Sequence, residues 1–365
     1  MSIKSLQIKN FKSIVDVQID DIPNFAVFAG TNGSGKSNLF EALEFIRDVI
    51  RSGAQHATKK HNGYENIHSH KLKGDNAKQF KAILEFEIND NVYNYEMHIK
   101  QWNKNPILLE TVTKNNDELA KRVSKSLFVR GKEQELSYSD DETILKLVAQ
   151  EAKELLEFIS AIERYQIDPN RAREPDDYFE NDTLDTYASN LTTVLSKIEK
   201  DTFIKEDIEE LMQMIVPGLE NIKIEKERLN NKTVVTFKEE GTRKKFPAGL
   251  ISDGTIYALA MLVIVYSNKN GIIMIEEPER GLNPKAIAAI VNIFREKSQL
   301  FNVFINTHSE SVVRVTKPNE LFIVNKVDGK TIIKNVQKSF PNYDYTKMNM
   351  DTMWMSNMFN GGLPW

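Results

Sequence analysis

Residues 26–46 read AVFAGTNGSGKSNLFEALEFI, and this stretch decides the fold. Ala26, Val27, Phe28 and Ala29 make an apolar run with the pattern of a short buried strand. The run ends in Gly30-Thr31-Asn32-Gly33-Ser34-Gly35-Lys36-Ser37, which is G-x-x-x-x-G-K-[ST]. Leu39, Phe40, Leu43, Ile46 and Ile50 follow at helical spacing, so a helix is predicted over 36–51. Strand, glycine loop and helix together predict a phosphate site. Glycines let consecutive backbone N–H groups point inward, and the helix N-terminus adds its partial positive charge. Asn32, Gly33, Ser34, Gly35, Lys36, Ser37 and Asn38 are the candidate nucleotide-binding residues. Lys36 is expected to reach the β- and γ-phosphates, with the Ser37 hydroxyl on Mg²⁺.

The 365 residues suffice for a large core, with two or three domains or one large one. A net charge of −4 gives no global basic field, so any nucleic-acid contact must come from a local patch. The absence of cysteine excludes disulfides, thiolate metal sites and cysteine catalysis. No apolar run is long enough for a membrane span, and the N-terminus lacks an apolar signal core, so a cytoplasmic protein is expected.

Upstream of the loop, Ile3–Ile8 and Val15–Ile19 read as strands, and Pro23-Asn24 as a turn. Residues 52–78 hold His56, His61, His68 and His70 among glycines and lysines, and are expected to form a long solvated loop rather than a metal site. From residue 79 the period becomes 2. Phe80, Ala82, Leu84, Phe86 and Ile88 share one face, as do Tyr93, Tyr95, Met97 and Ile99, with Asn89-Asp90-Asn91 as a hairpin turn. Residues 142–215 read as helical around a charged loop, YQIDPNRAREPDD. Two strand-like runs follow, with Asn230-Asn231 as their turn.

Three later stretches carry chemistry. Ser252-Asp253-Gly254 opens a strongly apolar helix and presents N–H groups at its N-terminus. In GIIMIEEPERGLNP, residues 271–284, a buried strand ends in Glu276-Glu277, where open α/β sheets place ligands. Glu276 is assigned to Mg²⁺, and Glu277 to the attacking water as general base. In NVFINTHSESVV, residues 302–313, another strand ends at His308, placed to reach the γ-phosphate.

The order GTNGSGKS, ISDGT, IIMIEEPERGLNP, NTHS resembles the ATP-binding-cassette ATPases of the SMC, RecF and OLD type. More narrowly, the chain resembles the stand-alone AAA-like ATPases of that superfamily. The resemblance implies an α/β P-loop NTPase fold: a two-lobed ATPase head with an antiparallel β subdomain and a helical lobe. Lobe I is expected over 1–140 and 269–340, the helical lobe II with its signature loop over 141–268, and a tail over 341–365. It also implies ATP and Mg²⁺ as ligands and head-to-tail pairing into a homodimer or higher oligomer. Ser252, Asp253 and Gly254 of one copy then face the nucleotide held by Lys36 of the other. Two positions depart from the family pattern: Asp253 stands at a usual glycine, and Glu276 at a usual aspartate. No motif marks the family's glutamine loop, although Gln166 is available. The implied role is a switch on a protein effector such as a nuclease or toxin in anti-phage defence, with no membrane partner. A DNA-binding repair ATPase of the RecF type and a scaffold that hydrolyses little remain alternatives. Met348, Met350, Met353, Met355 and Met358, with Trp354, Phe359 and Trp365, mark the tail either as a docking element or as a segment that closes the core.

Overall fold

The structure is a computed structural model, and it describes residues 1–134, 139–175, 182–226, 232–268 and 270–359. The chain opens with a hairpin of β1 (Ser2–Phe11) and β2 (Ile14–Asp20). β3 (Phe25–Ala29), buried at every position, leads through the glycine loop into α1 (Lys36–Ser52). α2 (Ala54–Lys60) and α3 (Tyr64–Ile67) follow. β4 (Phe80–Ile88) and β5 (Asn91–Lys100) join through Asn89 and Asp90, both left-handed at φ 49° and 64°. A two-residue turn of that kind matches the strand twist. With β6 (Ile107–Lys114), β7 (Asp117–Val123), β8 (Ser126–Val129) and β9 (Lys132–Gln134) they form an eight-stranded antiparallel sheet, ordered β2-β1-β4-β5-β6-β7-β8-β9.

α4 (Lys153–Ser160) then precedes a three-residue strand, β10 (Glu163–Tyr165). α5 (Pro169–Ala172), α6 (Leu191–Ile198) and α7 (Thr202–Ile215) are followed by a small sheet of β11 (Leu219–Lys226), β12 (Thr233–Glu239) and β13 (Phe246–Pro247). α8 (Asp253–Ser267) is apolar on all sides and almost wholly buried. β14 (Ile272–Glu276), α9 (Pro284–Lys297), β15 (Asn302–Thr307), α10 (Glu310–Arg314), β16 (Leu321–Val327) and β17 (Lys330–Asn335) complete the nucleotide-fold half. α11 (Val336–Ser339) and α12 (Met350–Met355) close the described chain. The central sheet runs β10-β14-β15-β3-β16-β17, parallel from β10 to β16. Its central parallel strands β14, β15 and β3 are buried at every position, as strands covered on both faces require, whereas the antiparallel edge strand β17 leaves one face exposed. Phe28, Met274 and Phe304 join α1 and the antiparallel sheet in one cluster. Val27, Ile275 and Ile305 face α6 to α9 and α12 in the other. Among the described residues no helix is long and apolar enough to cross a membrane.

Residues 52–78 do not form the solvated loop expected from their polarity. Asp48 of α1 is buried and draws Lys60 and His61 onto it, each at 2.9 Å, which folds the chain back as α2. These partners hold the Asp48 carboxyl well below the ordinary carboxylate range, against the effect of burial. His68 stacks on Tyr64 at 4.2 Å, and among the described residues no three His, Cys, Asp or Glu groups gather as a metal site. Residues 142–215 are less helical than expected. The run from 144 begins as a short 3₁₀ turn, and β10 interrupts the region as an edge strand beside β14. The turn expected at Asn230-Asn231 lies outside the described residues, although β11 and β12 pair as a hairpin would.

The tail packs onto its own head. Met350, Met353, Trp354 and Phe359 are buried in the core, and Arg314 bonds Asp351; Trp365 lies outside the described residues. Trp354→Ala should therefore destabilise the isolated protein by about 3–5 kcal/mol in urea unfolding. Wild-type stability combined with a smaller assembly by light scattering would instead make this segment a docking element.

Candidate nucleotide site

The glycine loop has its shape because nothing larger than hydrogen fits at two of its positions. A Cβ on Gly30 would lie 2.2 Å from the Val324 carbonyl oxygen of β16. Gly35 has φ 104°, and its Cβ would meet Thr331 Oγ1 at 2.0 Å. Thr331 supports the loop from behind: its hydroxyl bonds the Ser34 carbonyl at 3.1 Å and Ser13 Oγ at 2.6 Å. Asn38 also turns to that support, donating to Ser13 Oγ at 2.6 Å, while Asn32 and Gly33 are exposed at the loop tip. The Ser34 hydroxyl is buried without a hydrogen-bond partner among the described residues. Lys36 is folded over the loop and donates to the carbonyls of Gly30 at 2.8 Å and Thr31 at 3.0 Å. Burial lowers the ammonium's pKa, against the pull of Glu277, Glu279 and Glu276. A phosphate group there would meet a cation already stripped of much of its water.

Two neighbouring strands bring the acids to the loop. β14 and β15 run parallel beside β3 and end level with it, so Glu276 pairs in register with Asn306, and Thr307 with Ala29. Glu276 Oε2 accepts from Ser37 Oγ at 2.9 Å. Both are hard oxygen donors, the set that suits Mg²⁺ bound by one or two protein oxygens together with phosphate. Glu277, the next residue, has φ 50°, a left-handed conformation for a residue with a Cβ. Its N–H donates to the Asn306 carbonyl at 3.0 Å, and Tyr257 OH donates to the carbonyls of both Glu276 and Glu277 at 3.0 Å. His308 Nδ1 stands 3.3 Å from Glu277 Oε1. The structure therefore brings Lys36, Ser37, Glu276, Glu277 and His308 to one end of the central sheet.

The Ser252–Gly254 loop makes a different set of contacts. Ser252 caps α8 by accepting from the Thr255 N–H at 3.3 Å. Asp253 pairs with Arg173, which also donates to the Ile251 carbonyl at 3.3 Å. Gly254 lies against the loop that follows the acids, where a Cβ would meet the Gly281 carbonyl oxygen at 2.2 Å.

Several contributors carry no signal in the sequence. Tyr257 looks like one more apolar position of a buried helix. Glu279 is a buried acid that accepts from Thr307 Oγ1 at 2.7 Å and from the His308 N–H at 3.3 Å, with its pKa raised by burial. Arg164 of β10 donates to Glu276 Oε1 at 2.5 Å. Only the strand itself could have pointed to Arg164, and a strand of three residues leaves no period to read. Gln166 follows β10 directly, and its N–H bonds the Thr186 carbonyl at 2.7 Å; among the described residues no hydrogen bond joins it to these acids or to the glycine loop.

A family model described as AAA domain, putative AbiEii toxin, Type IV TA system matches residues 25–314. An ATP/GTP phosphatase of Helicobacter pylori is 21% identical over 349 residues, covering 86% of this chain and 87% of that protein. The DNA replication and repair protein RecF of Lactococcus lactis is 39% identical over 46 residues, 13% of each chain. Among solved structures, an SMC head bound to the C-terminal winged-helix domain of ScpA superposes with a TM-score of 0.59 at 15% identity. It covers 93% of this chain and 100% of that one. The SMC head domain of Thermotoga maritima gives 0.53 at 16% identity, covering 92% and 99%. The fold is that of an SMC-type ATP-binding-cassette head.

Proposed function

This chain belongs to the AAA domain family matched over residues 25–314, and from that premise we propose that it hydrolyses ATP as the nucleotide-driven switch of a larger assembly. One observation carries the reading: Lys36, Ser37, Glu276, Glu277 and His308 converge at the ends of three adjacent parallel strands. Lys36 leaves the Gly30 and Thr31 carbonyls for the β- and γ-phosphates. Ser37 and Glu276 would hold Mg²⁺, which supplies charge neutralisation at the phosphates. The Glu277 carboxylate takes the proton of the attacking water, and His308 orients that carboxylate while facing the γ-phosphate. Tyr257 fixes the backbone from which both acids project, which reduces the ordering left to be done during the reaction.

In this reading two copies pair head to tail, and the Ser252–Gly254 loop of one completes the nucleotide site of the other. The contacts of that loop with Arg173 and Gly281, rather than with its own glycine loop, agree with such a division. Ser252→Arg should leave nucleotide binding intact and lower turnover at least 100-fold, since a misplaced active-site group costs on that order. Mixing it with Lys36→Ala should restore part of the activity, because one dimer site is then complete. Full activity of Ser252→Arg alone would exclude composite sites.

The effector in this reading is a protein such as a nuclease or toxin acting in the cytoplasm in anti-phage defence, a role that rests on family analogy alone. The RecF likeness favours a second reading, in which the chain touches nucleic acid directly. Lys78, Lys100, Lys104 and Lys125 line a cleft of about 660 Å³ at one end of the antiparallel sheet and would supply the local basic patch. Salt-dependent DNA or RNA binding by the purified chain, lost when these lysines are replaced, would select it.

A further inference from the structure

Glu276 has two carboxylate oxygens, and different elements hold them. Oε2 faces Ser37 at the start of α1. Oε1 accepts from Arg164 Nε at 2.5 Å. Arg164 belongs to β10, where it pairs in register with Met274 of β14, so the guanidinium reaches the acid from the neighbouring strand. Its far side is boxed by two acids of α1: Glu44 at 3.4 Å and Glu41 at 3.6 Å. The side chains of Arg164 and Glu276 are only 14% and 9% exposed. Glu41 is itself bonded to Lys12 from the β1–β2 hairpin. Arg164, held in turn by Glu41 and Glu44, thus fixes one carboxylate oxygen beside the candidate metal position, while Lys12 bonds Glu41 and Arg47 bonds Glu44.

We propose that Arg164 is a positioning residue that withholds Oε1 of Glu276 from the metal and so sets the site's preference for Mg²⁺ over Ca²⁺. The proposal rests on the nucleotide-site reading and adds a selectivity that the reading does not contain. A free glutamate can give a cation one oxygen or both. Ca²⁺ takes about six to eight oxygens and accepts bidentate carboxylates, whereas Mg²⁺ keeps near-octahedral geometry and several of its waters. With Oε1 committed to Arg164, only Oε2 remains, which supports a single bond or a water bridge. A guanidinium stays charged throughout the working pH range, so it does not release the oxygen by losing a proton. A glutamate also has one more side-chain torsion than an aspartate, and Arg164 removes that freedom. Glu41, shared with Lys12, and Glu44, shared with Arg47, offset part of the arginine's charge, which lessens its repulsion of the incoming cation.

The test measures binding of a fluorescent ATP analogue to the full chain while Mg²⁺ or Ca²⁺ is titrated. The wild type should half-saturate at lower Mg²⁺ than Ca²⁺. Arg164→Met should raise the Mg²⁺ requirement roughly 10-fold, the lower end of the effect of losing a group that orients a metal ligand. Its Ca²⁺ requirement should stay level or fall, so the preference collapses. Arg164→Lys keeps the charge without the planar fork and should fall between. In a Glu276→Asp background, where the shorter acid has less freedom to lose, Arg164→Met should change the preference little. A purely structural arginine would not be relieved by shortening Glu276. Unliganded melting curves identify any variant that fails to fold, and Arg164→Lys with the Glu276→Asp pair then decides the outcome. Equal fold-changes for both cations in Arg164→Met, or the same loss in both backgrounds, would overturn the proposal alone. A wild type whose nucleotide binding ignores both cations and Lys36 would overturn the nucleotide-site reading itself.

Discussion

Replacing Lys36 with alanine is expected to abolish the stabilisation that Mg·ATP gives the wild-type protein. At 100-fold over Kd a ligand that binds only the folded state adds about 2.7 kcal/mol, which a thermal melt reads as an upward shift of several degrees. The size of the loss follows from the loop's architecture. In the proposed site the loop would otherwise offer only neutral N–H donors, and Lys36, now on the Gly30 and Thr31 carbonyls, is the cation folded over it. Hydrogen bonds to charged groups contribute about 1.5–3 kcal/mol each, so losing contacts to both the β- and γ-phosphates weakens binding by about two orders of magnitude or more. Because Lys36 is already buried, part of its desolvation cost is met before nucleotide arrives. The unliganded variant will also melt differently, since Lys36 bridges the Gly30 and Thr31 carbonyls. The quantity to compare is therefore each protein's shift on adding Mg·ATP. An equal shift in both proteins would remove Lys36 from the site.

Glu277→Gln should bind ATP as tightly as the wild type and turn it over about 10²–10⁴-fold more slowly, the usual worth of a positioned general base. The amide matches the carboxylate in size but cannot accept a proton from water. Its backbone is held by Asn306 and Tyr257 through groups the substitution does not touch, so the geometry should survive. ATP-bound dimer should then accumulate, and light scattering would show the mass increase. Single-turnover phosphate release at the wild-type rate would transfer the role to another acid. The buried Glu279, 3.8 Å from the same His308 Nδ1 that faces Glu277, is the first candidate.

What could be read from the sequence was whatever depends on neighbouring residues. The glycine loop is legible because its conformation demands glycine at fixed positions next to a lysine. The ends of β14 and β15 are legible because four and three consecutive apolar residues, respectively, precede the polar ones. The antiparallel hairpins are legible because one buried face imposes a period of two. The rest depends on partners far along the chain. Residues 54–67 are polar enough for a loop, yet they fold because Asp48 is buried and requires counter-charges. Arg164 meets Glu276 across more than a hundred positions, from a strand too short to show a pattern. Thr331 and Ser13, which brace the glycine loop from behind, resemble any hydroxyl residues at the ends of strands.

The left-handed backbone at Glu277 sets stability against chemistry at a single position. A residue with a Cβ held at φ 50° costs on the order of 1–2 kcal/mol relative to a favourable conformation, and glycine would relieve the strain. Glutamate codons become glycine codons by one base change. Under drift without selection for turnover, this is therefore an accessible route to a firmer fold without the proposed base. Retention of glutamate here in active descendants would record continuing demand for the reaction, because folding alone favours its loss.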